Sequence, residues 1–132
     1  MAVSRQACQA RTYRATDRQS VVALWEACGL VTPGNEPGQD IDLKVAAQPE
    51  LFFVGELDGD VVATVMAGYD GHRGWINYLA ASPEHRGKGL GQMMMQHAEA
   101  ELLKLGCPKI NLQIREDNAD VQAFYESLGY TV

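Results

Sequence analysis

Residues 82–91 read Ser82-Pro83-Glu84-His85-Arg86-Gly87-Lys88-Gly89-Leu90-Gly91, and this stretch decides the fold. It lies between two segments of different periodicity. Before it, Trp75–Ala81 has strand character and is ended by Ser82-Pro83. After it, Leu90, Met94, Ala98, Leu102 and Leu105 recur at helical spacing, with Met93 beside them, until Gly106 and Pro108 stop the helix. The stretch is therefore a strand–loop–helix junction. The first N–H groups of a helix have no intrahelical partner, and the helix dipole favours an anion there. Gly87, Gly89 and Gly91 remove side chains at that point, so a phosphate can approach the backbone, and Arg86 and Lys88 add positive charge. The run is not GxGxxG, because position 92 is Gln92, and no GxxxxGK followed by Ser or Thr makes it a P-loop. On the glycine pattern alone, a tightly packed helix start and a phosphate site are equal readings.

Upstream, Leu51–Leu57 and Asp60–Tyr69 read as strands joined at Asp58-Gly59, the strongest short hairpin signal. Tyr69–Gly74 is a second turn, so these strands and Trp75–Ala81 form an antiparallel meander. Nearer the N-terminus, Arg11–Ala15 is expected as a short strand. Thr16, with Gln19 as capping-box partner, starts a helix whose stripe is Val21, Val22, Leu24, Trp25 and Cys28, ending at Gly29. Thr32–Gly38 is loop, and Asp40 or Asp42 caps a short helix to about Gln48. Downstream, Lys109–Ile114 is a strand, Asp117 or Asn118 caps a last helix to Leu128, and Tyr130–Val132 begins another strand. The order β-α-α-β-β-β-α-β-α-β predicts one α/β domain over 1–132 with residues 1–10 as a flexible extension. Its mixed sheet is antiparallel early, parallel late and flanked by helices.

Composition sets the class. The chain has 132 residues, 46% hydrophobic and 21% charged, the balance of an ordinary soluble domain. Its 11 Lys and Arg against 17 Asp and Glu give −6, which argues against nucleic-acid or anionic-membrane partners. The charge is uneven: His72, Arg73, His85, Arg86 and Lys88 stand against Glu84 alone between Gly71 and Gly89, as a small-anion site requires. No apolar run approaches the roughly 20 residues of a membrane helix, and Met1–Ala10 has no signal-peptide core. Cys8, Cys28 and Cys107 are odd in number and widely spaced, as in a reducing cytoplasm. His72, His85 and His97 lack short ligand spacing, so no metal is expected.

With its strand–helix context, Arg86-x-x-Gly89-x-Gly91 resembles the acyl-CoA-binding motif of the GNAT acetyltransferase superfamily. Asn118, followed by Ala123-Phe124-Tyr125-Glu126-Ser127-Leu128-Gly129-Tyr130, resembles that family's closing Asn…Tyr-Glu-x-x-Gly-aromatic signature. The resemblance runs from about residue 11 to the end. Tyr69-Asp70-Gly71-His72-Arg73-Gly74 and Gly106-Cys107-Pro108-Lys109-Ile110 further resemble a small group of bacterial acetyltransferases, similar to the ribosomal-protein alanine N-acetyltransferases.

The resemblance implies a GNAT-like fold and an acetyl-CoA-dependent N-acetyltransferase, passing an acetyl group directly to a primary amine of a small molecule or a protein N-terminus. The alternative is a module that binds acyl-CoA without turnover. The family's roles imply that the backbone of Arg86, Gly87, Lys88, Gly89, Leu90, Gly91 and Gln92 cradles the CoA pyrophosphate. Leu79, Ala80 and Ala81 splay from the next strand to pair with the pantetheine arm, Asn118 contacts that arm or holds its loop, and Tyr125 lies near the sulfur. The Leu79 N–H is then the oxyanion donor, and Tyr125 the general acid. A thiol near pKa 8.5 and a tyrosine near 10 make that proton transfer uphill by about 2 kcal/mol.

The base is not settled by the resemblance. The ribosomal-protein enzymes carry a glutamate five residues before the signature Asn, where this chain has Gln113. Asp70 and His72 are the candidates, with Glu36, a water relayed by Tyr78, or bulk water as alternatives. Trp75 is a candidate lining residue, whereas His97, Trp25, Glu99, Glu101 and the cysteines read as structural. Members of the family usually carry a further strand after Gly129-Tyr130, and here the sequence stops at Val132, so that strand is either removed, outside these residues or replaced by a partner chain. An uncovered sheet edge makes a homodimer an expectation.

Overall fold

A computed structural model describes residues 8–113 and 119–131. Its elements are β1 (Gln9–Thr12), α1 (Arg18–Ala27), α2 (Pro37–Ala47), β2 (Phe52–Leu57), β3 (Asp60–Tyr69), β4 (Gly74–Ala81), α3 (Leu90–Lys104), β5 (Ile110–Leu112) and α4 (Ala119–Ser127). The strands form one sheet in the order β1-β2-β3-β4-β5. The first three pairings are antiparallel, and β4 with β5 is parallel. This is the mixed α/β architecture expected from the residues.

Both sheet faces are covered, which is why the central strands read as nearly continuous apolar runs. Alternate residues go to opposite layers. Phe53, Val65, Ala67 and Ile76 pack with Met94, Met95, Ala98 and Leu102 of α3 and Tyr125 of α4. Phe52, Val54, Met66 and Ala80 pack with Val21, Leu24 and Trp25 of α1 and Ile41 of α2. The sheet thus separates an α3/α4 layer from an α1/α2 layer, and β4 contributes side chains to both. Among the described residues no helix is long and apolar enough to cross a membrane.

Several boundaries differ from expectation, each for a local reason. β1 begins at Gln9, and Ala10 pairs opposite Gly55, so residues 9 and 10 belong to the sheet rather than to an extension. The strand ends early because the buried Asp17 carboxylate gathers the Arg11 guanidinium (2.8 Å) and the Arg14 N–H (2.8 Å), turning the chain. That also moves the start of α1 to Arg18, with Asp17 rather than Thr16 at its cap. α2 starts at Pro37, before Asp40 and Asp42. The Glu36 carboxylate caps it by accepting from the N–H groups of Gly38 (3.1 Å) and Gln39 (2.6 Å), and proline suits the first helical position. Tyr130 and Thr131 are not strand. The Tyr130 N–H instead bonds back to the Tyr125 carbonyl (3.1 Å), closing the end of α4. The caps expected at Asp117 or Asn118, and Val132, lie outside the described residues.

Candidate active site

β4 pairs with β5 through Gly74–Ile110, Trp75–Asn111 and Ile76–Leu112. Among the described residues that pairing stops there, while β4 runs on to Ala81. On its other side β4 stays paired to β3, but with a slip. Met66 faces Asn77 and Thr64 faces Ala80, so Tyr78 and Leu79 together oppose Val65 as a bulge. Tyr78 sits there at φ 50°. For an aromatic residue this left-handed backbone costs of order 1–3 kcal/mol and persists only where the surroundings enforce it.

The enforcement is visible. The Tyr78 carbonyl accepts from the Thr64 hydroxyl (2.9 Å), and Thr64 Oγ1 in turn accepts from Trp25 Nε1 (2.9 Å). Trp25 and Thr64 are both completely buried. The Tyr78 ring stacks on Trp25 with centroids 3.8 Å apart. Its hydroxyl donates to the Asp40 carboxylate and accepts from Asn35 Nδ2 (2.7 Å). Burial first, then the adjacent Asp40, pushes the Tyr78 hydroxyl up to about 12, so it stays protonated and keeps donating. Past the bulge the side chains alternate: Tyr78 and Ala80 pack into the α1/α2 layer, Leu79 and Ala81 into the α3/α4 layer.

Beyond Ala81 the chain makes one short turn, Pro83–His85, and reaches the start of α3. The His85 Nδ1 atom is buried there without a hydrogen-bond partner among the described residues. Arg86, Gly87, Lys88 and Gly89 are exposed. Gly87 and Gly89 adopt φ 83° and 74°, and an added Cβ at either would meet nothing within 4 Å. The first α3 bond runs from the Met93 N–H to the Gly89 carbonyl (3.0 Å). The N–H groups of Leu90, Gly91 and Gln92 therefore have no intrahelical acceptor, and among the described residues no side chain caps them. Gly91 has a different reason to be glycine: a Cβ there would come within 3.2 Å of Phe124 Cζ on α4.

Tyr125 is buried where α4 meets the core, edge-on to Phe124 at 5.2 Å and Tyr130 at 5.9 Å. Burial raises its hydroxyl above the ordinary tyrosine value. Asn118 lies outside the described residues.

The remaining candidates are elsewhere. Asp70 accepts from the N–H groups of His72 (2.9 Å) and Arg73 (2.7 Å), which closes the β3–β4 turn and holds its carboxyl below the usual range. That turn adjoins Gly74, five residues from Leu79 along β4, or about 16 Å at the usual rise per residue. The geometry thus separates Asp70 and His72 from the bulge, and Trp75 lies toward that same end. Glu36, another alternative base, is occupied as the α2 cap. Among the described residues no three His, Cys, Asp or Glu groups gather to hold a metal.

Sequence reasoning had Tyr78 only as a water relay and Asp40 only as a helix cap. It missed Asn35 and Thr64 entirely. The hydrogen-bond partners of Tyr78 lie 14 to 43 residues away along the chain, so no local pattern marks them.

The chain matches the acetyltransferase (GNAT) family over residues 10–130. An acetyltransferase of Pectobacterium atrosepticum is 45% identical over 120 residues, covering 91% of this chain and 85% of that protein. Among solved structures, Ard1 from Thermoplasma volcanium superposes with a TM-score of 0.86 at 23% identity, over 96% of this chain and 84% of that one. The ribosomal-protein alanine N-acetyltransferase of Escherichia coli gives 0.79 at 21%, over 95% and 78%. The two structures show the fold. The sequence match and the family match together show that the chain belongs to the GNAT family of acetyltransferases.

Proposed function

We propose that this chain transfers an acetyl group from acetyl-CoA directly to a primary amine, carried by a small molecule or a protein N-terminus. The observation that carries the reading is the course of β4. Among the described residues its pairing with β5 ends at Ile76; it then bulges at Tyr78–Leu79 and leads within a few residues to an exposed, basic, glycine-lined helix start. The uncapped N–H groups of Leu90, Gly91 and Gln92 fit a pyrophosphate, and nothing fills the space beside Gly87 and Gly89. Arg86 and Lys88 are exposed beside it and reach the outer phosphates.

Acetyl-CoA supplies the thioester; the protein supplies position, dipoles and a proton. The edge of β4 at Leu79, Ala80 and Ala81 takes the pantetheine arm, and its small side chains permit close approach. The Leu79 N–H, set by the bulge, donates to the carbonyl oxygen as it gains charge. Tyr125 donates its proton to the departing sulfur, and Asn118 steadies the arm. Burial raises the Tyr125 hydroxyl above its ordinary value and so makes it a weaker acid than a free tyrosine.

Thermal unfolding with and without acetyl-CoA tests the cofactor site. Saturation at about 100 Kd adds roughly 2.7 kcal/mol, a shift of around 5–10 °C. Consumption of acetyl-CoA dependent on an amine then tests transfer. A shift without turnover across amines would make the chain a binding module, and no shift at millimolar acetyl-CoA would remove the reading.

A further inference from the structure

The sheet separates two approaches to the bulge. Tyr125 and the side chain of Leu79 belong to the α3/α4 layer. Tyr78 turns the other way, into the α1/α2 layer, and meets the loop before α2. There its hydroxyl and the Asp40 carboxylate are bonded and both half-buried, and Tyr78 is the residue next to Leu79. Asp40 has no cation beside it among the described residues. From Gln19 to Leu43 the chain contains no Lys or Arg. The flanking cations are committed elsewhere: Arg18 pairs with Asp42 (2.6 Å) and bonds the Gly38 carbonyl (3.2 Å), and Lys44 donates to the Ala67 carbonyl. A half-buried carboxylate is costly without a cationic partner. Hydrogen-bond capacity also remains. A carboxylate offers about four acceptor positions and Tyr78 uses one; the Tyr78 oxygen has two lone pairs and Asn35 uses one.

We propose that the Asp40 carboxylate and the Tyr78 hydroxyl form the anchor for the acceptor's primary ammonium. The pair selects acceptors that arrive as cations: the bound ammonium gives one proton to water, its neutral nitrogen attacks the thioester carbonyl as the C–S bond breaks, and the second N–H proton replaces the one Tyr125 gives to the departing sulfur. The inference deepens the proposed amine transfer and rests on it for the identity of the reaction. The anchor itself is readable without turnover.

The chain has two tryptophans, Trp25 and Trp75, so its indole N–H region in a nitrogen-15 correlation spectrum holds two signals, assigned by Trp75→Phe. Trp25 reports on the anchor because its ring lies against Tyr78. The probes are butylamine, benzylamine, spermidine and alanyl and seryl tripeptide amides, each beside its N-acetyl counterpart, added to the full chain with CoA present. At least one amine is expected to move the Trp25 signal saturably, and its acetylated counterpart is not. Asp40→Asn, which keeps an oxygen for the Tyr78 hydroxyl but removes the charge, is expected to weaken that response at least about tenfold, as charge-assisted bonds of about 1.5–3 kcal/mol require. Tyr78→Phe, which keeps the stacked ring, is expected to weaken it less.

No movement with any amine, or equal movement in Asp40→Asn, overturns the anchor. Where the wild type also acetylates one of these amines, Asp40→Asn should raise the amine KM at least tenfold with the acetyl-CoA KM unchanged. A wild type that moves Trp25 but acetylates nothing would sink the transferase reading and leave the anchor standing.

Discussion

The two walls of the candidate site, on opposite faces of the sheet, are built in opposite ways. The α3 side is backbone: uncapped N–H groups, two left-handed glycines and exposed basic side chains. The α1/α2 side is side chain: Trp25, Thr64, Asn35 and Asp40 hold one strained residue, Tyr78, by stacking and hydrogen bonds. The first suits a ligand that many proteins share, since a pyrophosphate asks only for N–H groups and space. The second suits a ligand peculiar to this chain, since its chemistry changes with any one substitution. Bulge and strain belong to both walls, because the same two residues present Leu79 to one and Tyr78 to the other.

The sharpest way to break this division is to remove the proposed proton donor and neither wall. Tyr125→Phe should lower turnover by about 100-fold or more while acetyl-CoA affinity stays within twofold, measured by steady-state rates and calorimetry. Equal loss of both would make Tyr125 part of the binding wall instead. Next in size is Thr64→Val. It leaves the buried Trp25 N–H without an acceptor and the Tyr78 carbonyl without a donor, costing about 3 kcal/mol in urea unfolding. Turnover should fall further than acetyl-CoA affinity. A variant as stable as the wild type would show that the bulge is not held from this side.

Gly89→Ala separates conformation from space. The position is open to solvent, so only its φ of 74° opposes a side chain, at about 1–2 kcal/mol. Both stability and acetyl-CoA affinity should drop, because the N–H groups that follow it are displaced. Gly91→Ala meets the Phe124 ring instead, at an ordinary helical backbone, and is expected to change acetyl-CoA affinity less. The reverse ranking would put the anion farther into α3 than its first turn.

This contrast also explains what was legible in the sequence. Asp60–Tyr69 as a strand, the hairpin at Asp58-Gly59 and the start of α3 at Leu90 were all readable, because glycine spacing and periodicity are local. The α3 wall follows from that same local information. The side-chain wall does not. Trp25 reaches Thr64 across 39 residues and Tyr78 reaches Asp40 across 38, so neither contact exists until the sheet has formed. The same limit misplaced the α2 cap, since Glu36 before Pro37 competes with two aspartates of equal local promise. Nor did local information show that Asp70 Oδ1 accepts from the backbone N–H groups of His72 and Arg73 and so closes the β3–β4 turn.

The smallest expected effect lies at high pH. Burial and Asp40 raise the Tyr78 hydroxyl from its ordinary value near 10 to about 12 in the folded chain. A raised folded value means the native state holds its proton more tightly than the unfolded chain does. The stability from Tyr78 is therefore fully present below about pH 10 and is lost as pH rises from there toward about 12. Tyr13, Tyr125 and Tyr130 are raised as well, chiefly by burial, and steepen the same alkaline limb. Tyr78→Phe should flatten that limb without changing the slope below pH 9, measured as urea midpoints from pH 8 to 11. Asp40→Asn should flatten it only in part, because burial, the larger cause, survives the loss of the carboxylate's charge. If both variants keep the wild-type limb, the Tyr78–Asp40 bond is not what holds the acceptor wall, and its strain must be borne by Trp25 and Thr64 alone.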